Sequence, residues 1–211
     1  MIHFAGGKEF PMYTLSRWAL KVGLLCVNRF ATEGSENVPA AGGCIVAANH
    51  ASYLDPPAMG AGVRHRMVQF MARDTLASSG FAHWLFTAVG CVLIDRQRGD
   101  VAALKRSLQV LKAGGVLGLF PEGTRSLDGE LQQAKGGIGF LIAKAAVPVV
   151  PAYISGTNKA FPKHAKWIRP CKVGIRFGPP IQPAEFAAYG EKKEYDLIGK
   201  LVMERIAALK R

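Results

Sequence analysis

The chain has 211 residues, of which 49% are hydrophobic and 20% are charged, so it is long enough to form one domain with a sizeable core. Its 27 Lys and Arg residues against 15 Asp and Glu give a formal net charge of +12, which favours an anionic partner. No apolar run of about 18 residues occurs, which argues against a transmembrane helix, and the N-terminus lacks the pattern of a secretory signal. The four cysteines form no CxxC pair and lie among apolar residues, which indicates buried thiols.

The first predicted element is a helix over residues 13–30, where apolar and basic side chains fall on opposite sides. Its stripe contains Leu15, Trp18, Ala19, Val22, Leu25 and Cys26, and the other side contains Arg17, Lys21 and Asn28. This pattern is typical of a helix that lies in a membrane interface, although an ordinary helix packed on the domain would also produce it. We predict a membrane-interfacial segment over residues 1–33, followed by a domain over residues 34–211.

From residue 42 onward, apolar runs typical of buried strands alternate with helical patterns. The predicted strands span residues 44–48, 67–72, 91–94, 116–120, 149–154 and 173–177. This alternation predicts a single α/β domain with a mostly parallel central sheet flanked by helices.

The helical patterns lie between or after these strands. The clearest has Asp100 as its N-cap, Gly114 and Gly115 at its end, and a buried face of Val101, Leu104, Leu108 and Leu111. Further helices are predicted over residues 137–146 and in the C-terminal stretch 194–211.

Polar residues follow four of the predicted strands at the point where each strand ends. Asn49 and His50 follow the first strand, Arg73 the second, Asp95 and Arg96 the third, and residues 121–126 the fourth. Open α/β sheets place their sites outside the carboxyl ends of the strands, so we expect these residues to converge at one edge.

The sequence NHASYLDP at residues 49–56 places His50 five residues before Asp55, a spacing that does not share one helical face. A loop between the two residues would still bring the carboxylate to the imidazole. The carboxylate would then fix the ring tautomer and leave the other nitrogen free to take a proton from a substrate hydroxyl. Alternatively, Asp55 precedes Pro56 and Pro57 and would serve only as the N-cap of a helix.

A second motif, FPEGTRS at residues 120–126, combines a glycine with donors suited to phosphate oxygens. The glycine allows close approach of the backbone, and Thr124, Arg125 and Ser126 provide the donors. A tight loop with an exposed arginine is the simpler interpretation of this motif taken alone.

Together these segments resemble the glycerolipid acyltransferases, and in particular the 1-acyl-sn-glycerol-3-phosphate acyltransferases. NHASYLD matches the NHxxxxD signature of that family, and FPEGTRS matches the third of its four sequence blocks at every position. GCVLIDR (90–96) and VPVVPAYI (147–154) resemble the two remaining blocks. One departure is MARDTL (71–76), where Arg73 and Asp74 occupy the positions of a lysine and a glutamate in many relatives.

The resemblance implies transfer of an acyl group from acyl-CoA or an acyl carrier protein to the sn-2 hydroxyl of lysophosphatidic acid, giving phosphatidic acid. It implies His50 as the general base and Asp55 as the residue that orients it. Arg96 and Arg125, with Arg73 and Lys135, would hold the acceptor phosphate in a site lined by Glu122, Gly123 and Thr124. No metal or other cofactor is implied.

The implied enzyme would lie on the cytoplasmic face of the cell membrane, peripheral or monotopic, against an anionic lipid surface. Two alternatives remain, an acyltransferase of the same superfamily with a different acceptor and a non-catalytic lipid-binding protein of the membrane surface. Nucleic acid is not expected as a partner, because the basic residues are dispersed and are not grouped with stacking aromatics.

Overall fold

The computed structural model describes Gly23 and residues 28–73, 91–94, 99–162, 165 and 167–210. The helix predicted over residues 13–30 therefore lies almost wholly outside the described residues. None of the helices within the described ranges is long and apolar enough to cross a membrane.

Seven strands form one sheet in the order β1-β7-β6-β2-β5-β3-β4. They are β1 (Ala31–Glu33), β2 (Cys44–Ala48), β3 (Val68–Arg73), β4 (Cys91–Ile94), β5 (Val116–Leu119), β6 (Val149–Ser155) and β7 (Gly174–Phe177). Strands β2 to β6 are parallel, β7 is antiparallel to β6, and β1 is parallel to β7. The prediction of an α/β domain with a mostly parallel sheet is confirmed, and the six predicted strands correspond to β2 through β7.

The described helices are α1 (Asp55–Gly62), α2 (Gly99–Lys112), α3 (Gly137–Ala145), α4 (Thr157–Ala160), α5 (Pro183–Glu191) and α6 (Tyr195–Ala207). The predicted helices correspond to α2, α3 and α6. In α2, Leu104, Leu108 and Leu111 pack toward the core as predicted. The prediction that Val101 is buried is wrong, because this first-turn residue is 76% exposed and the apolar face meets the core only from Leu104 onward.

Strand β2 lies at the centre of the sheet and is buried on both faces, which explains its continuous apolar sequence CIVAA. Cys44, Val46 and Ala48 pack in a cluster with residues of α1, and the alternate residues Ile45 and Ala47 pack with α3 and α6. Because β2 is held between two layers, the residues that leave its carboxyl end start from a fixed position.

Candidate active site

The carboxyl ends of β2, β5, β3 and β4 are neighbours in the sheet, and polar segments leave from this edge. Ala47 pairs with Leu119, so His50 and Glu122 each lie three residues beyond a paired position. Arg73 ends β3 opposite Ile94, the last residue of β4. The edge therefore gathers the predicted segments, except that Arg96 lies outside the described residues.

Asp55 is the hydrogen-bonding centre of the loop that follows β2. Its Oδ2 accepts hydrogen bonds from the backbone N–H groups of Ala51 at 2.6 Å and Ser52 at 2.7 Å. The same oxygen lies 2.8 Å from Nδ1 of His50, and the Asp55 side chain is completely buried. Because two fixed donors already make Oδ2 an acceptor, Nδ1 of His50 must donate to it. The Nε2 atom of the ring then has its lone pair free to accept a proton.

The same contacts overturn the interpretation of Asp55 as a helix cap. Asp55 is the first residue of α1, Leu54 occupies the N-cap position, and no side chain caps this helix. The carboxylate points back to the preceding loop rather than forward to α1. The spacing of five residues thus reflects a loop that closes around one carboxylate oxygen.

Asn49 fixes the start of this loop to the neighbouring strand β6. Its Nδ2 donates to the carbonyl oxygen of Ile154 at 2.9 Å, and its Oδ1 accepts from the N–H of the same residue at 2.7 Å. These two bonds extend the β2–β6 ladder, whose last pair is Ala48 and Ala152. Our sequence reasoning assigned no role to Asn49, although an asparagine directly after a buried strand is a signal that could have suggested one.

The imidazole of His50 is supported on one face by an aromatic stack. The ring of Phe120 lies 4.2 Å from it between centroids at an interplanar angle of 21°, and Phe70 lies 6.2 Å beyond Phe120. Gly118 makes room for this arrangement, since a Cβ there would lie 2.3 Å from the Phe70 ring. Only 18% of the His50 side chain is exposed, so the ring is restrained but accessible.

Glu122 connects the loop after β5 to the loop after β2. Its Oε1 accepts a hydrogen bond from the N–H of His50 at 3.1 Å. Burial, with a smaller contribution from the Asp55 charge, raises the pKa of Glu122 to about 7. Hydrogen bonds from the backbone N–H groups of His50 and Gln132 act in the opposite direction and lower the pKa. Oε2 of Glu122 has no hydrogen-bond partner among the described residues. The contacts of Glu122 are thus with the backbone, and its assignment to phosphate binding stays a prediction.

The loop after β5 turns at Gly123, whose φ of +61° is readily adopted by glycine. A Cβ at this position would lie 2.7 Å from Cδ of Lys135, so the lysine stem packs directly over the glycine. The N–H of Lys135 donates to the carbonyl oxygen of Pro121 at 2.9 Å. The structure therefore brings together Gly123 and Lys135, two residues that the sequence predicts to lie in one site. Thr124, the residue after Gly123, is exposed.

Arg125 has the features of a ligand-binding residue. Its guanidinium carbon lies 3.6 Å from the centroid of the Tyr53 ring, which belongs to the His50 loop. Its Nη1 is buried and has no hydrogen-bond partner within the described residues. The next residue, Ser126, donates its N–H to the carbonyl oxygen of His50 at 2.8 Å, so the cation is attached close to the imidazole.

The arrangement is suited to general-base chemistry on a hydroxyl group of an anionic substrate. It provides one accessible imidazole nitrogen, a buried carboxylate that would stabilise the imidazolium, and one unpaired cationic donor nearby. No group of three or more potential metal ligands occurs within the ranges that the structure describes.

Comparison with known proteins agrees with these observations. The acyltransferase family model matches residues 29–155, more than half of the chain. A 1-acyl-sn-glycerol-3-phosphate acyltransferase of Bacillus subtilis is 25% identical over 94% of this chain and 96% of its own length. A chloroplastic enzyme of the same name from Brassica napus is 30% identical, and the match covers 76% of this chain and 47% of that protein.

A solved structure shows the same fold. The crystal structure of the 1-acyl-sn-glycerophosphate acyltransferase from Thermotoga maritima matches with a TM-score of 0.72 and 29% identity, covering 95% of this chain and 80% of that one. The chain therefore belongs to the acyltransferase family and is an acyltransferase similar to the 1-acyl-sn-glycerol-3-phosphate acyltransferases.

Proposed function

We propose that the protein transfers a fatty acyl group from an acyl thioester to the sn-2 hydroxyl of 1-acyl-sn-glycerol 3-phosphate, giving phosphatidic acid for phospholipid biosynthesis. The observation that carries this proposal is the His50–Asp55 pair, in which one carboxylate oxygen holds the ring and the loop around it. The names of the similar proteins support the choice of acceptor.

In the proposed reaction, Nε2 of His50 takes the proton of the sn-2 hydroxyl as its oxygen attacks the thioester carbonyl carbon. The carbon–sulfur bond then breaks, and the released thiolate takes the proton back from the imidazolium to leave as a thiol. Asp55 stabilises the transient imidazolium charge and keeps Nδ1 protonated. The acceptor itself is the nucleophile, so the reaction requires no covalent acyl-enzyme.

The phosphate of the acceptor would bind to the loop after β5. Arg125 would pair its unpaired guanidinium N–H with a phosphate oxygen, and the exposed Thr124 and the close backbone at Gly123 would line the site. Arg73 and Lys135 would add positive charge from the same edge of the sheet. Arg96, which lies outside the described residues, keeps its proposed role on the phosphate.

The acyl donor in this proposal is acyl-CoA or an acyl carrier protein, and the enzyme works at the anionic cytoplasmic face of the cell membrane. The net charge of +12 supports the membrane location, since basic residues are attracted to anionic lipid.

The test is a thiol-release assay with a panel of acceptors and both donor types. Lysophosphatidic acid should be the preferred acceptor over glycerol 3-phosphate, a neutral lysophospholipid and a lyso-aminolipid, and the His50→Ala variant should be the inactive control. Preference for another acceptor would identify a related enzyme of the same superfamily. Absence of thiol release with every pair, despite lipid binding, would indicate a non-catalytic lipid-binding protein.

A further inference from the structure

A second basic region lies outside the residues of the proposed reaction. Residues 159–172, here called the basic loop, have the sequence KAFPKHAKWIRPCK, with four lysines, one arginine and one histidine. No Asp or Glu occurs between Glu130 and Glu185, so this part of the chain has no acidic residue of its own to neutralise the loop.

The basic loop is closed at its base and presents apolar side chains to solvent. The N–H of Arg169 donates to the carbonyl oxygen of Ala160 at 2.8 Å. This hydrogen bond closes the loop between these two residues. Trp167 is 83% exposed and Ile168 is 47% exposed. A tryptophan this exposed contributes little to the packing of the domain, whereas its ring is well suited to the boundary between lipid and water.

The loop is attached directly to the proposed catalytic loop. The hydroxyl of Ser52 donates to the carbonyl oxygen of Phe161 at 2.7 Å, and the N–H of the same serine donates to Asp55. One residue therefore contacts both the base of the basic loop and the carboxylate that orients His50. A surface that the basic loop contacts would lie on the same side of the molecule as the imidazole.

The N-terminal segment also meets the basic loop. Asn28, which is buried, donates from Nδ2 to the carbonyl oxygen of Arg169 at 2.9 Å and accepts at its own carbonyl oxygen from the N–H of Val173 at 2.9 Å. Asn28 belongs to the segment predicted from sequence to be membrane-interfacial, so that segment is bonded to the base of the loop that exposes Trp167.

We propose that the basic loop is a membrane-contacting element in which Trp167 and Ile168 enter the interface while Lys159, Arg169 and Lys172 attract anionic headgroups. The inference rests on the proposed function, since an acceptor with its acyl chain in a bilayer requires the site to face that bilayer. Exposed apolar side chains flanked by cations fit a lipid surface, which offers both an apolar layer and negative charge. An acidic protein or nucleic acid would explain the cations, but a lipid surface also explains the adjacent exposed tryptophan and isoleucine.

The experiment measures co-sedimentation of the full chain with vesicles of phosphatidylcholine alone or in an equal mixture with phosphatidylglycerol. A tip variant has Trp167→Ala and Ile168→Ala, and a charge variant has Lys159→Gln, Arg169→Gln and Lys172→Gln. Each cation near an anionic surface strengthens binding by up to about fivefold, so loss of three cations should weaken binding of the charge variant to the anionic vesicles by up to about 100-fold. The tip variant should bind both vesicle types more weakly, and added salt should reduce the difference caused by charge.

Matched controls remove two exposed apolar side chains or three cations elsewhere on the surface. The apolar control is Val101→Ala with Leu197→Ala, both exposed on helices, and the charge control is Lys112→Gln, Lys144→Gln and Lys192→Gln, all of them exposed. Lys112 and Lys144 end helices that lead to the opposite, amino edge of the sheet. Both controls should bind vesicles nearly as the original chain does, and thermal melts should show that all four variants are folded.

Unchanged vesicle binding in folded tip and charge variants would overturn the inference, and so would equal losses in the controls. The variants could instead keep vesicle binding and lose activity only when the acyl donor is an acyl carrier protein. That result would make the loop a binding site for the carrier protein and would also overturn the inference. The proposed function is tested separately with a short-chain, monomeric lysophosphatidic acid. If the original chain fails to acylate that acceptor the proposed function fails, whereas the vesicle result concerns only the loop.

Discussion

The two loops that form the site differ in how their polar groups are paired. In the loop after β2, Oδ2 of Asp55 accepts three hydrogen bonds, and Asn49 is bonded through both ends of its amide. In the loop after β5, Nη1 of Arg125 and Oε2 of Glu122 are buried without a partner among the described residues. Asp55 also leaves Oδ1 unpaired, but a carboxylate oxygen cannot donate to a phosphate, whereas a guanidinium N–H can.

Under the proposed function, this difference assigns a separate role to each loop. The first loop is organised by bonds within the protein and holds one imidazole in one tautomer, as a base requires. The second loop keeps a cationic donor available for a ligand. Substitutions in the first loop should therefore reduce kcat, and those in the second should mainly change the use of the acceptor.

The largest effect is expected from His50→Ala. Loss of the base should lower kcat by about 10²–10⁴-fold, and the fold should persist because the ring lies at the edge of the domain. Steady-state kinetics with lysophosphatidic acid and a thermal melt would measure both. Phe120→Leu is the matched control, since it removes the stacked ring but keeps Nε2, and it should cost much less activity. Near-normal turnover in His50→Ala would refute the proposed mechanism.

Asp55→Asn should lower kcat by about 10²-fold, because the imidazolium would lose the charge that stabilises it. The amide oxygen can still accept from the N–H groups of Ala51 and Ser52, so the loop should keep its shape. The amide nitrogen would replace the unpaired Oδ1 and remain a buried donor, which should cost about 1–3 kcal/mol in the free energy of unfolding. Chemical denaturation beside kinetics separates the two effects, and a stability loss without loss of kcat would make Asp55 purely structural.

Arg125→Ala should reduce kcat/KM for lysophosphatidic acid by about 10–100-fold, the usual loss for a charged hydrogen bond to phosphate, with little change in the KM for the acyl donor. Arg125→Lys should recover only part of this loss, because an ammonium group cannot present two parallel N–H donors. Tyr53→Phe preserves the ring under the guanidinium and serves as the control. An equal loss with an acceptor that lacks a phosphate would exclude this role.

The smallest effect is a change in the pH dependence of stability in Glu122→Gln. The pKa of Glu122 is raised from 4.5 to about 7 in the folded protein, so its contribution to stability is present below about pH 4.5 and is lost as pH rises through about 7. Glutamine stays neutral, so the variant should gain stability relative to the original chain as pH rises from about 5 to about 8. Urea unfolding of both proteins at the two pH values measures this change in the free energy of unfolding. The same pH dependence of stability in the variant and the original chain would contradict the prediction.

Much of the fold follows from local pattern. The strands β2 to β7 are visible as short apolar runs because a sheet covered on both faces needs continuous hydrophobic strands. Strand β1 has only three residues, Ala31–Glu33, and an exposed–intermediate–exposed burial pattern, so no apolar run marks it. It begins three residues before the predicted domain boundary at residue 34, and that boundary stays a prediction.

The sequence predicted which residues belong to the site, but not the long-range hydrogen bonds that hold their loops in place. The motifs indicated His50, Asp55 and Arg125, and the strand order placed their loops side by side. The bonds from Asn49 to Ile154 and from Ser52 to Phe161 join residues more than 100 positions apart, which no local pattern reports. The alternative interpretation of Asp55 as a helix cap arose for the same reason, since a local pattern shows the following prolines but not the direction of the carboxylate.

The Asn49–Ile154 contact has a consequence for the order in which the protein is made. The two residues are 105 positions apart, and the strand that contains Ile154 is the sixth of the seven in the described sheet. A growing chain that ends before residue 149 already contains both sequence motifs, yet it lacks the strand to which Asn49 is bonded. Because such long-range pairing forms late in folding, the loop after β2 acquires this anchor only after synthesis has passed β6. An unfinished chain therefore contains the motif residues before the loop that carries His50 and Asp55 is anchored.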